Sequence, residues 1–320
     1  MDVRTHLYLV STNILTKEMK MTEKLAGLVI PVLEPLGYRQ GWGTATVARI
    51  RQEIPEDVGR LTLCQQNIDE VLTCGGLWQG KEVATEIPAH VFLLHRALVV
   101  RVTKEYLEAA IIGEAPKPID FVRKFLRTEA NFDPLTATWL FLQGEFERVE
   151  LENELAMAIA HLLEAWPQIT DGTQVTIGPV LEDISIGGVV FEVETVDVTF
   201  GDHHMGVEVN WPGAVLVRLV ALYPSPKDLE EMALGALVHG IATGCPPQRL
   251  VVWGLQSGKG IGMDVERDWL EMAIAGTQLA TQAIANIRND RGVVVQGGEH
   301  CTLCPFSDSC DVSEADEYPF

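Results

Sequence analysis

The chain has 320 residues, 47% of them apolar and 22% charged, the make-up of an ordinary globular protein of one elaborated domain or two intimate ones. Lysine and arginine total 24 against 45 acidic residues, a net charge of −21. That excludes a broad electrostatic grip on a phosphate backbone, so any nucleic-acid contact must be local or shared with a more basic partner. No basic leader followed by an apolar core opens the chain, and the most apolar early stretch, LAGLVIPVLEPLG, is too short and Pro-interrupted to span a bilayer. A cytoplasmic protein without membrane contact is expected.

Residues 1–60 form an N-terminal region of unassigned role, with a helix expected in TKEMKMTEKLAGLVIPVLEPLG and a second short segment in TATVARIRQEI. Residues 61–112 read as helical. TLCQQNIDEVLTC places Leu63, Ile68 and Leu72 at helical spacing, and Gly75-Gly76 follows as a helix stop. PAHVFLLHRALVVRVTKEYLEAAII is a long apolar helix with Pro88 suited to its first turn, and it carries His90 and His95. GEAPKPID is a connector, and further helices run to LENELAMAIAHLLEAW at residue 166.

From about residue 173 the period changes to the alternation of strands joined by hairpins, rich in Val, Ile and Thr. A helix (KDLEEMALGALVHGIATG), a buried strand (RLVVWGL) and a long amphipathic helix from near Asp264 follow. Trp269, Leu270, Ala273, Ile274, Ala280, Ile284 and Ile287 line one side of that last helix. The order predicts an α/β or α+β sheet flanked by helices.

Cysteine is used sparingly, at positions 64, 74, 245, 301, 304 and 310. Cys301, Cys304 and Cys310 form a C-x2-C-x5-C array, whose bite suits a metal in a reducing compartment better than it suits disulfides. Three thiols are one short of the usual four.

The tail GGEHCTLCPFSDSC resembles the closing element of RecB-type PD-(D/E)XK nucleases that carry a four-cysteine iron–sulfur cluster, such as CRISPR-adaptation exonucleases and AddB-like nuclease domains. LTLCQQNIDEVLTCGGLW is similar to the family's opening segment, and LEEMALGALVHGIA, RLVVWGL and the helix over 264–289 are similar to the elements that lead into its cysteines. The resemblance implies a restriction-endonuclease-like central mixed sheet flanked by helices over residues 61–320, with a helical insertion at about 113–172. It also implies that Cys74 joins Cys301, Cys304 and Cys310 around a 4Fe–4S cluster as a C-terminal staple, with Cys64 the rival for the upstream position. Soft thiolates select iron–sulfur or zinc, and zinc on the same four thiols is the alternative.

An active member of the family needs two metal-binding carboxylates and a lysine, with Mg²⁺ or Mn²⁺ generating the nucleophile. The resemblance puts these on a helix histidine, an Asp on one strand and a D/E-x-K on the next. Here they map to His95, Asp197 and Glu208, with Asn210 standing where Glu208-Val209 should be followed by lysine. On the alternative strand, AVLVRLVALY, Arg218 or a valine takes the acidic position, and no D/E-x-K triplet occurs between 186 and 260. The glycines expected before the histidine and before Asp197 are also missing. The expectation is therefore a degenerate site in a DNA-binding or architectural subunit, acting on DNA ends or single strands beside a protein partner in DNA processing or defence. An active Mg²⁺- or Mn²⁺-dependent DNA exonuclease and a zinc-knuckle interaction module are the alternatives.

Overall fold

The computed structural model describes residues 41–83, 91–128, 132–167, 174–201, 214–295, 297–298, 301, 304 and 310. The helix expected before residue 40, His90, Glu208 and Asn210 lie outside the described residues. The elements run α1 (Trp42–Glu53), β1 (Leu61–Leu63), α2 (Gln65–Thr73), α3 (Gly75–Val83), α4 (Val91–Ile111), α5 (Pro118–Leu126), α6 (Pro134–Leu142) and α7 (Glu145–Ala165). Then come β2 (Gln174–Ile177), β3 (Asp183–Ile186), β4 (Val189–Glu192), β5 (Val198–Gly201), β6 (Val215–Val220), α8 (Pro226–Glu230), α9 (Ala233–Thr243), β7 (Arg249–Gly254), β8 (Lys259–Asp264) and α10 (Arg267–Arg288).

A five-stranded mixed sheet in the order β2-β5-β6-β7-β8 sits at the centre. β2, β5 and β6 pair antiparallel, the α8–α9 crossover makes β7 parallel to β6, and β8 returns antiparallel. β7 is buried at all six positions, as a strand covered on both faces must be. Its Leu250 and Val252 join one core with residues of α1, α2, α9 and α10. Val251 and Trp253 join the opposite core with α4, α5 and α7. The expected mixed sheet flanked by helices is what the chain forms, and α5–α7 fill the stretch expected as a helical insertion.

A second, three-stranded sheet has the order β1-β4-β3. Its β3–β4 hairpin turns on Gly187 and Gly188, both at positive φ (60° and 89°), the conformation a two-residue hairpin loop needs. The sequence pattern led to a different expectation here. TLC was expected inside a helix, yet Leu61–Leu63 pair parallel with β4, because Leu61 and Leu63 gain burial on that sheet. Ile50, Ile54 and Val58 share the core that contains Leu61 and Leu63, so packing is continuous across residue 60.

Two further local features depart from the pattern. Gly75 does not stop the helical run: Cys74 breaks it with an extended backbone, and its carbonyl accepts from Leu77 and Trp78 to open α3. The last helix starts at Arg267 rather than near Asp264, because residues 259–264 add β8 to the sheet edge. KGIGMD has weak strand propensity, but Gly262 leaves room for the Arg249 guanidinium, which a Cβ would meet at 2.9 Å. That guanidinium pairs with Asp264.

Among the described residues no helix is long and apolar enough to cross a membrane.

Candidate functional site

Asp197 stands immediately before β5 and is buried, at 6% exposure. Its backbone N–H donates to the Val217 carbonyl at 2.9 Å, which locks it against the middle of β6. One carboxylate oxygen, Oδ2, accepts the Leu219 backbone N–H at 2.7 Å, a charge-assisted bond. The other, Oδ1, lies 3.0 Å from Lys104 Nζ on α4. Both oxygens are thus engaged by the protein itself.

A cleft of about 860 Å³ opens beside this pair, walled by α4, by β6 and by the chain that follows β6. Arg96, Arg101 and Lys104 of α4 line it together with Glu105 and Glu108 of the same helix, while Leu98, Val102, Tyr106 and Leu107 face the core. Glu194, Arg218 and Asp228 add to the polar lining. Arg218 is itself held by Glu231 at 2.6 Å and lies 4.0 Å from Asp228.

His95 lies elsewhere on α4. Nine residues separate it from Lys104, roughly 13 Å along the axis and half a turn away in angle. Its Nε2 sits 3.1 Å from Glu154 on α7, and its ring meets Trp139 edge-on at 6.2 Å. Glu154 also accepts from the Gln256 side-chain amide. His95 therefore bridges α4 to α7, away from Asp197. The structure brings Asp197 and Lys104 together and leaves His95 in a separate polar contact.

Lys104 carries no D/E-x-K signature, because it comes from a helix some ninety positions before Asp197 and not from the neighbouring strand. Nothing in VVRVTKEYLEAA marks it, since its role depends on how α4 crosses the sheet.

The residues do not fit a divalent cation at Asp197. A hard cation needs accessible carboxylate oxygens, yet Lys104 and the Leu219 N–H already sit on the two oxygens of Asp197, and β6 brings no second acid.

The cysteines form the other candidate centre. Cys64 and Cys74 flank the ends of α2. The Cys64 N–H and thiol both point at Asn67 Oδ1, at 3.3 and 3.1 Å, and burial pushes its thiol pKa up. That is a helix-start role. Cys74 is buried, and next to it the Gly75 N–H donates to the Val294 carbonyl at 2.9 Å. A Cβ at Gly75 would meet Val293 Cγ1 at 3.0 Å and Val294 O at 3.2 Å, so the glycine lets the tail lie against this turn. A Cβ at Gly76 would touch Cys74 Sγ at 3.6 Å, so this glycine keeps one side of the thiol uncovered.

The tail thus approaches the Cys74 end of α2 seven residues before Cys301. The four thiols are chemically suited to a soft metal. Among the described residues no group of three or more His, Cys, Asp or Glu side chains is gathered as a metal site. Most of the segment between Cys301 and the end of the chain lies outside the described residues.

A third feature is an apolar surface around the α6–α7 corner, where Phe141, Leu142 and Phe146 are 79%, 74% and 71% exposed. A broad cleft lined by Arg127, Phe132, Phe141 and Arg148 runs beside it.

No protein-family model matches the chain, and no curated protein matches it at a significant level.

Proposed function

We propose that this mixed α/β protein is an iron–sulfur-stabilised, RecB-like nuclease-fold protein that has lost its metal-dependent cutting chemistry. In this reading it serves DNA processing or defence as a DNA-binding or architectural subunit of a larger complex. One observation carries the proposal: Asp197, the residue matched to the family's metal aspartate, stands just before β5 with its oxygens held by the protein's own Lys104 and Leu219 N–H. The strand beside it, β6, carries no acid and no lysine.

Three further features support it. α4 brings Arg96 and Arg101 into the Asp197 cleft, where Glu105, Glu108, Glu194 and Asp228 stand beside them, so a phosphate contact there rests on individual guanidinium groups and not on a basic field. The exposed Phe141, Leu142 and Phe146 suit a protein partner, since such clusters are rare on free surfaces. The Gly75–Val294 bond draws the tail toward Cys74 and away from Cys64, the arrangement a staple from Cys74 to Cys301, Cys304 and Cys310 requires. When bound, a 4Fe–4S cluster would supply cross-linking of the two ends of the chain. The residues around it would hold it by thiolate ligation and keep it from water.

A second reading is favoured by one distance. Lys104 Nζ at 3.0 Å from Asp197 places an ammonium where an active nuclease needs one, though from a helix. In that case the protein is an exonuclease with a displaced lysine.

The deciding experiment is anaerobic purification with iron and zinc analysis, followed by incubation with end-labelled DNA and Mn²⁺. Iron-loaded protein that shifts tailed or single-stranded DNA at low salt and leaves it intact supports the proposal. Degradation that vanishes in Asp197→Ala establishes the second reading instead. Colourless, zinc-loaded protein that shifts no DNA establishes a zinc-knuckle interaction module.

A further inference from the structure

We infer that Lys104 is a resident cation that takes the place of a divalent metal at Asp197 and keeps the site closed to Mg²⁺ and Mn²⁺. The inference rests on the proposed function and explains how a nuclease-like site is held metal-free.

Asp197 is buried, so its carboxylate needs compensation. Hydrogen bonding from one side comes from the Leu219 N–H, at 2.7 Å. That amide belongs to β6, a central strand paired with β7 along Val215–Val220, so it cannot leave the carboxylate without shifting the middle of the sheet. Among the described residues, Lys104 is the side-chain cation on the other oxygen, at 3.0 Å. Its side chain is about a third exposed and reaches in from the cleft, which is the side from which a hydrated ion would arrive.

A lysine here competes with a metal on two counts. It fills the volume beside Oδ1, and its charge raises the cost of bringing a dication to the same oxygen. Arg96, Arg101 and Arg218 in the cleft are opposed by Glu105, Glu108, Glu194 and Asp228, so the charge that bears directly on Oδ1 is that of Lys104. Glu194, Glu105 and Glu108 also line the cleft, so acidic groups for an ion's outer shell are present once the ammonium is gone. Mg²⁺ and Mn²⁺ need only one or two direct carboxylates and keep several waters. Lys104 is therefore the element that decides occupancy.

The test uses the full chain and Mn²⁺ alone, read by electron paramagnetic resonance and by thermal unfolding. Wild-type protein is expected to hold no Mn²⁺ that depends on Asp197. Lys104→Met is expected to bind Mn²⁺ at least about tenfold more tightly than wild type and to gain thermal stability when Mn²⁺ is added. The double variant Lys104→Met/Asp197→Asn should respond to neither. A folded Lys104→Met protein that binds Mn²⁺ no better than wild type overturns the inference. So does wild-type Mn²⁺ binding that Asp197→Asn abolishes. If the single variant is insoluble, refolding in excess Mn²⁺ decides: rescue supports the inference, and failure of rescue while the double variant folds overturns it. The two levels stay separable. DNA cleavage by the wild type sinks the proposed function, whereas a Mn²⁺-blind Lys104→Met beside an inert wild type sinks only the role given to Lys104.

Discussion

Lys104 on α4 and Asp197 just before β5, ninety-three positions apart, meet at 3.0 Å. The pair joins the helix layer to the central sheet, and each partner leaves the other exposed to cost if removed. Asp197 also holds the Leu219 N–H, so the carboxylate has a structural role independent of any chemistry.

Replacing Asp197 by alanine is therefore expected to lower stability by about 2–4 kcal/mol, since it strands a buried N–H and an ammonium together. Asp197→Asn should cost less, because the amide oxygen still accepts from Leu219. Urea unfolding of the two variants checks the order. Equal losses would mean that the hydrogen bond to Leu219 contributes nothing.

Asp69 gives the protein a pH signature. Burial lifts its carboxyl pKa from the ordinary 3.8 to about 6, with Glu231 and Glu230 adding to the rise and the Gln65 and Lys227 contacts opposing it. Gln65 donates to Asp69 at 2.8 Å and accepts from the Leu234 N–H at 2.9 Å, tying α2 to α9. A raised carboxyl pKa means the folded state binds the proton more tightly than the unfolded chain. Its contribution to stability is thus full at low pH and is lost as pH rises from about 4 to about 6. Asp69→Asn should remove that slope and stabilise the protein above neutral pH by something on the order of 2 kcal/mol, with no gain near pH 4. Parallel denaturation curves across that range would show it.

Cys74 and Cys64 make a matched pair of controls for the staple. Cys74→Ser is expected to strip iron from anaerobically purified protein and to cost solubility, as Cys304→Ser should, because metal binding and folding are coupled. Cys64→Ser should keep its iron and lose only a weak helix-start contact. Iron retained in Cys74→Ser would remove the upstream ligand from the proposal.

Gly75→Ala probes the same region through the backbone. Its new methyl would press on Val293 and Val294 at 3.0–3.2 Å, and overpacking of that kind costs about 1–3 kcal/mol. Iron content should fall with it if the 293–295 segment guides the tail cysteines. Gly76→Ala, with only ordinary contacts, should be far milder.

Asp133 offers a check with no bearing on the site. Its carboxylate accepts from the Leu135 and Thr136 N–H groups at 3.0 Å and from the Thr136 hydroxyl at 2.6 Å, which holds its pKa below the usual carboxylate range. Loss of this helix cap in Asp133→Ala should cost about 1 kcal/mol, measurable by thermal unfolding.

Periodicity alone determined the helix-rich first half, the strands after residue 173 and the apolar face of α10, because burial on one side leaves a 3.6- or 2-residue imprint on the chain. The sequence also showed the C-x2-C-x5-C array and the missing D/E-x-K, since both are matters of spacing. It could not show β1 or β8, whose pairing partners lie more than a hundred residues away or whose residues are glycine-rich. Only the tertiary structure decided that Gly75 serves close approach of the tail rather than a helix stop. It alone brought Lys104 to Asp197 and led His95 to Glu154. Such contacts depend on the angle and depth at which one helix crosses a sheet, and that is set by the whole core rather than by any local run of residues.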